Sequence, residues 1–199
     1  MPDRAYLVLH GWQNHRPRGH WERELVADLR ARGEPVQYPQ LPDPDRPSPA
    51  AWIELLLAEL DLLGPGERVV VAHSLSVLLW AYAAPTVAAS SPVHRVLLVA
   101  PPSRSVLARY DDVAEWARLD VDPPLVASTA GSVRLVCSDD DPYCPEGALV
   151  AYPGLASDVD LLPGEGHLDP VAGYGRWPAV LAWCLDPATR LVPRPAGTP

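Results

Sequence analysis

A chain of 199 residues, 48% of them apolar, is long enough to close one well-buried core and too apolar to stay disordered. A net charge of −9, with all 16 basic residues arginine, argues against a nucleic-acid partner and against an anionic membrane surface; the lack of lysine excludes Schiff-base chemistry. Cys137, Cys144 and Cys184 are odd in number and lack metal-ligand spacing, no apolar run approaches a bilayer's thickness, and the amino-terminal run is too short for a signal peptide, so a cytoplasmic protein without disulfides is expected.

Ala5 to Leu9 is a short apolar run, the first strand, with His10, Gly11 and Trp12 at its carboxyl end. Asn14 to Gly19 is a polar loop. His20 to Arg32 carries Trp21, Leu25, Val26 and Leu29 at helical spacing, and Gly33 caps it. Pro35 to Tyr38 is a second strand, and the proline-rich stretch Pro39 to Pro49 is an extended surface loop. Ala50 to Leu63 is a strongly apolar helix closed by Gly64-Pro65-Gly66. Val69 to Val71 form strand three, which runs into Ala72-His73-Ser74-Leu75-Ser76 and then a buried helix. Pro85 is expected to bend or end that helix, or the helix restarts briefly before a break at Ser90-Ser91-Pro92.

Arg95 to Val99 is strand four, and Asp111 to Leu119 a short helix. Val133 to Cys137 is strand five, ending in an acidic turn, Ser138 to Pro145. Glu146 to Tyr152 is a short helix, Val159 to Leu162 strand six, and Gly173 to Leu185 the last helix. This leaves residues 1–186 as a single domain, followed by a Pro-rich tail over 187–199 that is expected to fray. Strands alternating with helices predict an α/β fold, a doubly wound, six-stranded, mostly parallel sheet with helices on both faces. Ligands of such sheets bind at the carboxyl ends of the strands, near the switch in strand order. His10-Gly11-Trp12, Ser74, the aspartates and His167 all fall there.

A strand, one tight turn of small residues around a serine, then a helix is the setting of a nucleophile elbow. The turn lifts the Ser74 hydroxyl clear of the sheet and aims the helix's first N–H groups at the same point. The usual pattern is G-x-S-x-G; here Ala72 and Ser76 stand at the glycine positions. Ser76 should be tolerated with modest strain, and Ser76→Gly should keep activity or raise it slightly. The competing reading of Ser74 is a helix N-cap. The other polar clusters on the same sheet edge favour the nucleophile. The chain order serine, acid, histidine is that of α/β-hydrolases.

LHGW at Leu9 to Trp12, HW at His20-Trp21, VAHSL at Val71 to Leu75, LVAPP at Leu98 to Pro102, SDDDPYC at Ser138 to Cys144, GEGH at Gly164 to His167 and GYGRWP at Gly173 to Pro178 resemble the small serine hydrolases of the RBBP9/YdeN family. The resemblance implies a compact α/β-hydrolase core without a large lid. It also implies a triad of Ser74, Asp141 and His167, with the family's usual glycine replaced by Ser76. His167 would take the serine proton and return it to the leaving group, and Asp141 would orient the imidazole. The backbone N–H groups of Trp12 and Leu75 would form the oxyanion hole, with Gly11 allowing close approach. His10, Gly11 and Trp177 are further candidates for contact with substrate.

The spacing of His10, His15 and His20 fits no metal site, so they read as solvated loop residues, and no metal or cofactor is expected. His73 should point away from Ser74 and play a structural part; Cys144 reads as a turn residue. Trp21 reads as core. The short connection from Pro101 to Ser132 leaves no room for a large cap, which predicts an open site for a small-molecule acyl substrate. Two functions fit: a serine hydrolase of small carboxylic esters, amides or peptides, and a hydrolase-fold binding protein with little activity.

Overall fold

The computed structural model describes residues 4–90 and 93–195. Six parallel strands, β1 (Arg4–Leu9), β2 (Val36–Gln37), β3 (Glu67–His73), β4 (Val93–Val99), β5 (Ala130–Cys137) and β6 (Asp158–Leu161), form one sheet in the order β2-β1-β3-β4-β5-β6. The sheet is thus entirely parallel, as buried α/β sheets are. Successive strand residues alternate between two cores. Leu7, Leu9, Val70, Ala72, Val96 and Leu98 join one apolar cluster, and Tyr6, Val8, Val69, Val71, Leu97 and Val99 the other.

The first cluster is covered by α2 (Pro49–Leu62) and α3 (Leu75–Ser90), the second by α1 (Trp21–Ala31) and α7 (Pro178–Leu185). Between β4 and β5 lie only α4 (Arg104–Leu107), a 3-10 turn (Ala114–Arg118) and α5 (Pro123–Ala127); α6 (Ala148–Ala151) follows β5. No helix among the described residues is long and apolar enough to cross a membrane. Cys137, Cys144 and Cys184 are buried free thiols.

Four expectations change. Helix α3 neither ends nor restarts at Pro85. A proline inside a helix costs about 3 kcal/mol, and burial of Trp80, Ala81, Ala83, Ala84 and Val87 around it outweighs that loss. The expected Ser90-Ser91-Pro92 break lies partly outside the described residues, at 91–92. The expected helix over 111–119 is a five-residue 3-10 turn. It is held by tertiary bonds, from Trp116 Nε1 to the Pro47 carbonyl and from the Tyr82 hydroxyl to the Trp116 carbonyl. The last helix starts at Pro178 and not at Gly173, because Gly173 turns the chain at φ 84° and a proline suits a first helical position. Residues 187–192 of the expected frayed tail are tied down. Leu191 is buried, its N–H bonds Asp160 Oδ2, and the Val192 carbonyl accepts Trp177 Nε1. The last part of the tail, 196–199, lies outside the described residues.

Candidate active site

Strand order switches between β1 and β3, and a crevice opens at their carboxyl ends. Ser74 occupies the turn between β3 and α3 at φ 56°. That left-handed conformation costs a non-glycine residue on the order of 1–2 kcal/mol. The turn is held by the Ser74 N–H on the Val99 carbonyl at 2.8 Å and by the Val77 N–H on the Ser74 carbonyl at 2.9 Å. Gly11 passes so close that a Cβ there would stand 2.7 Å from Ser74 Cβ and 3.1 Å from its Oγ. Ser76 is fully buried, and its hydroxyl donates to the His10 carbonyl, tying the elbow helix to the end of β1.

The other two sequence candidates come to the same point from β5 and β6. His167 Nε2 lies 2.9 Å from Ser74 Oγ, and His167 Nδ1 lies 2.8 Å and 3.0 Å from the two Asp141 oxygens. A carboxylate only accepts, so the imidazole proton sits on Nδ1 and leaves Nε2 free to accept the Ser74 hydroxyl. Asp141 is 2% exposed and also accepts the Tyr143 N–H at 2.8 Å. The Tyr143 ring lies against the imidazole, centroids 4.5 Å apart.

The neighbouring aspartates do something else. Asp139 accepts the N–H of Gly164, and Asp140 accepts the N–H of Gly166 and the Ser138 hydroxyl. Those bonds, the Ser138 hydroxyl first, hold the Asp140 carboxyl below the usual range. Together they fix the turn that carries His167.

A cavity of about 230 Å³ opens in front of Ser74, with Gly11, Trp12, Leu75, Pro102, Leu107 and Tyr143 among its walls. Two candidates for substrate contact are not part of it. Trp177 is buried in the second core against Trp21 and Tyr174, where an apolar ring gains most by leaving water. His10 is fully buried behind Gly11. Its Nδ1 is 2.9 Å from the Gly11 carbonyl, and its Nε2 accepts the Leu41 N–H at 2.9 Å. Burial pushes the His10 imidazole down to about 4, so it is a neutral structural group and not a solvated one. His20 is likewise buried; it caps α1 by accepting the Glu22 N–H, and burial pushes it down to about 4. Only His15 is exposed as expected.

Sequence reasoning missed what holds the His167 loop from behind. Trp21 Nε1 donates to the Leu168 carbonyl at 2.8 Å, and His73 Nε2 lies 3.2 Å from the His167 carbonyl. The paired His20-Trp21 motif was the available signal. Nothing in the spacing shows Glu22, which is wholly buried beside His73. His20, Glu22 and His73 are also the described group whose donor atoms, within 4.8 Å of one another, could hold a metal ion.

This sheet, with a serine elbow after its third strand and a histidine loop after its sixth, is that of an α/β-hydrolase. Residues 6–185 match the serine hydrolase family, and the chain belongs to it. Among solved structures, the ydeN gene product from B. subtilis superposes with a TM-score of 0.72 at 19% identity, covering 90% of this chain and 95% of that one. A YdeN-like hydrolase from Pectobacterium atrosepticum gives 0.66 at 17% identity, covering 92% and 90%. Est1E from Butyrivibrio proteoclasticus gives 0.66 at 16% identity, covering 93% and 89%. The resemblance read from the motifs is therefore met in both sequence and fold. No curated protein sequence matches the chain.

Proposed function

We propose that the chain hydrolyses small carboxylic esters through an acyl-enzyme, with Ser74 as nucleophile, His167 as general base and acid, and Asp141 as the residue that orients the imidazole. The observation that carries this reading is the unbroken line from Ser74 Oγ to His167 to Asp141 at the mouth of the cavity. His167 Nε2 takes the proton as Ser74 Oγ attacks the ester carbonyl, and the buried Asp141 carboxylate stabilises the imidazolium. The tetrahedral oxygen faces the N–H groups of Trp12 and Leu75, neither of which donates to another backbone group among the described residues. His167 then protonates the leaving alcohol, and a water activated by the same nitrogen releases the acid.

The cavity of about 230 Å³ is below the range of roughly 300–1,000 Å³ common for drug-sized ligands, which supports a small acyl group. Est1E has been seen with ferulic acid bound, a small carboxylic acid in a related fold. The short β4–β5 connection supports an open site that needs no lipid interface.

A fluorophosphonate probe and a series of nitrophenyl esters test the reading. The expected result is labelling and hydrolysis that are abolished in Ser74→Ala, with rates highest for short acyl chains and no jump above an ester's solubility limit. A folded wild-type chain that neither labels nor turns over would make it a binding protein on a hydrolase fold.

A further inference from the structure

Behind the His167 loop lies a buried polar layer that the hydrolysis reaction does not use. Glu22 is 0% exposed and His73 3%. Among the described residues four buried side-chain atoms have no hydrogen-bond partner, and two of them, Glu22 Oε1 and His73 Nδ1, face each other 3.6 Å apart. The remaining atoms of both groups are taken. Glu22 Oε2 accepts the Tyr38 hydroxyl at 2.8 Å and Asn14 Nδ2 at 2.9 Å. His73 Nε2 faces a backbone carbonyl, that of His167, which can only accept, so this nitrogen carries a proton. In a neutral imidazole Nδ1 is then a bare lone pair. A lone pair opposite a bare carboxylate oxygen repels; one proton between them turns the contact into a bond.

We propose that Glu22 is a positioning residue of the hydrolase: protonated on Oε1, it donates to His73 Nδ1, fixes His73 as its Nε2–H tautomer, and through that N–H clamps the backbone carbonyl of His167. The clamp works beside the bond from Trp21 to the Leu168 carbonyl, and the two hold adjacent peptide groups of the loop that carries the general base. The 3.6 Å separation closes by a few tenths of an ångström once the proton is in place.

Burial supports the assignment of the proton to the glutamate. It pushes the Glu22 carboxyl up to about 8, against the pull of Tyr38 and Asn14, and pushes the His73 imidazole well below its ordinary value. The groups facing this layer are few. Glu22 meets His20 at its own helix cap, Asn14 from the first loop, Tyr38 beyond β2 and His73 from the end of β3. His73 also meets the rings of His20, Trp21 and His167, and feels His10. Arg16 acts on Tyr38 and His10, Arg23 on Tyr38, and Asp169 on His20. None of these donates to Glu22 Oε1. The clamp is therefore present below the folded carboxyl's value of about 8 and is lost as pH rises through it.

The proposal rests on the hydrolase reading for its kinetic arm only, so the test has a spectroscopic arm as well. Side-chain 15N spectra report histidine tautomers directly, and kcat is followed on a short ester from pH 6 to 10. At pH 6.5, His73 of the wild type and of Glu22→Gln should be the Nε2–H tautomer, since the glutamine amide can donate to Nδ1. In Glu22→Ala the His167 carbonyl still selects that tautomer, but the Nδ1 resonance should lose the shift of a hydrogen-bonded nitrogen. Wild-type kcat should fall several-fold between pH 7 and 9.5 with KM nearly constant, and Glu22→Gln should lack that fall. An imidazolium at His73 in the wild type at pH 6.5 would overturn the proposal. So would an alkaline fall unchanged in Glu22→Gln, or stoichiometric zinc in the purified protein that Glu22→Gln abolishes. If no ester is turned over, the 15N spectra of the wild type and Glu22→Gln still decide the matter.

Discussion

On the β1–β3 side of the crevice, Gly11 and Ser74 are placed by close steric fit and a left-handed backbone. On the β5–β6 side, Asp141 and His167 are placed by hydrogen bonds. The first side has almost no freedom: Gly11 has no room for a Cβ, and Ser74 is held at φ 56° by two backbone bonds. The second side divides its labour. Asp139 and Asp140 hold the turn through Gly164 and Gly166, and Asp141 alone reaches the imidazole. Three adjacent carboxylates are compatible because only the third is buried; like charges crowded into one dry site would be costly. A steric wall should therefore fail abruptly on substitution, and a hydrogen-bonded wall should fail according to which bond is removed.

The largest effect should come from the hydrogen-bonded side. Asp141→Asn keeps the shape but removes the acceptor that fixes the His167 tautomer, and kcat should fall on the order of 10⁴, by analogy with serine proteases. Asp139→Asn and Asp140→Asn retain an amide oxygen for the Gly164 and Gly166 N–H groups, so each should lose less than about tenfold, well short of the loss for a missing triad acid. Steady-state kinetics of the three folded variants check this. A loss at Asp140 equal to that at Asp141 would mean that turn geometry, and not imidazole orientation, limits the rate.

Gly11→Ala tests the steric side. The added methyl would stand 2.7 Å from Ser74 Cβ, so the elbow or the first loop must move by several tenths of an ångström. A misplacement near 1 Å costs a reaction about 10²-fold, and a loss of that order in kcat is expected. The bonds between His167 and Asp141 are remote from the methyl. Histidine 15N spectra should therefore keep the wild-type His167 signature while the rate falls. A variant with unchanged kcat would show that the close approach of Gly11 to Ser74 is not needed for chemistry.

The comparison also explains what could be read from the chain itself. Strand runs such as Val69 to Val71, followed at once by small and polar residues, carry both their period and their turn in the sequence, so Ser74, Asp141 and His167 were legible as a converging set. The two substrate candidates that the cavity excludes, His10 and Trp177, sit next to motif residues but face inward, and a loop position does not reveal which way a ring points. That α3 runs on through Pro85 was not legible, because the proline's local penalty is visible in the sequence and the packing that outweighs it is not. Glu22 was hidden for the opposite reason. A glutamate in the first turn of an amphipathic helix ordinarily faces solvent, and only the meeting of α1 with Tyr38 and His73 shows it to be buried.

The smallest effect should be at Ser76, and here the structure changes the expectation drawn from the motif. Ser76 is not a glycine site merely filled by a small residue. Its hydroxyl is the partner of the buried His10 carbonyl, and it has no wall in the cavity. Ser76→Gly removes that donor, and leaving a buried acceptor unpaired costs about 1–3 kcal/mol. Glycine within the first turn of α3 adds roughly 0.5–1 kcal/mol of backbone entropy. Against these stands some relief of crowding around the elbow. The two losses sum to about 1.5–4 kcal/mol, and after that relief the folded variant is expected to be about 2 kcal/mol less stable in urea. Its kcat should stay within about threefold of wild type, because the reacting groups keep their places. Ser76→Ala separates the contributions: it loses the hydroxyl and keeps helical propensity, so its stability should fall between the other two. Equal stability for all three chains would mean that the His10 carbonyl finds another donor and that β1 and the elbow helix are held together by packing alone.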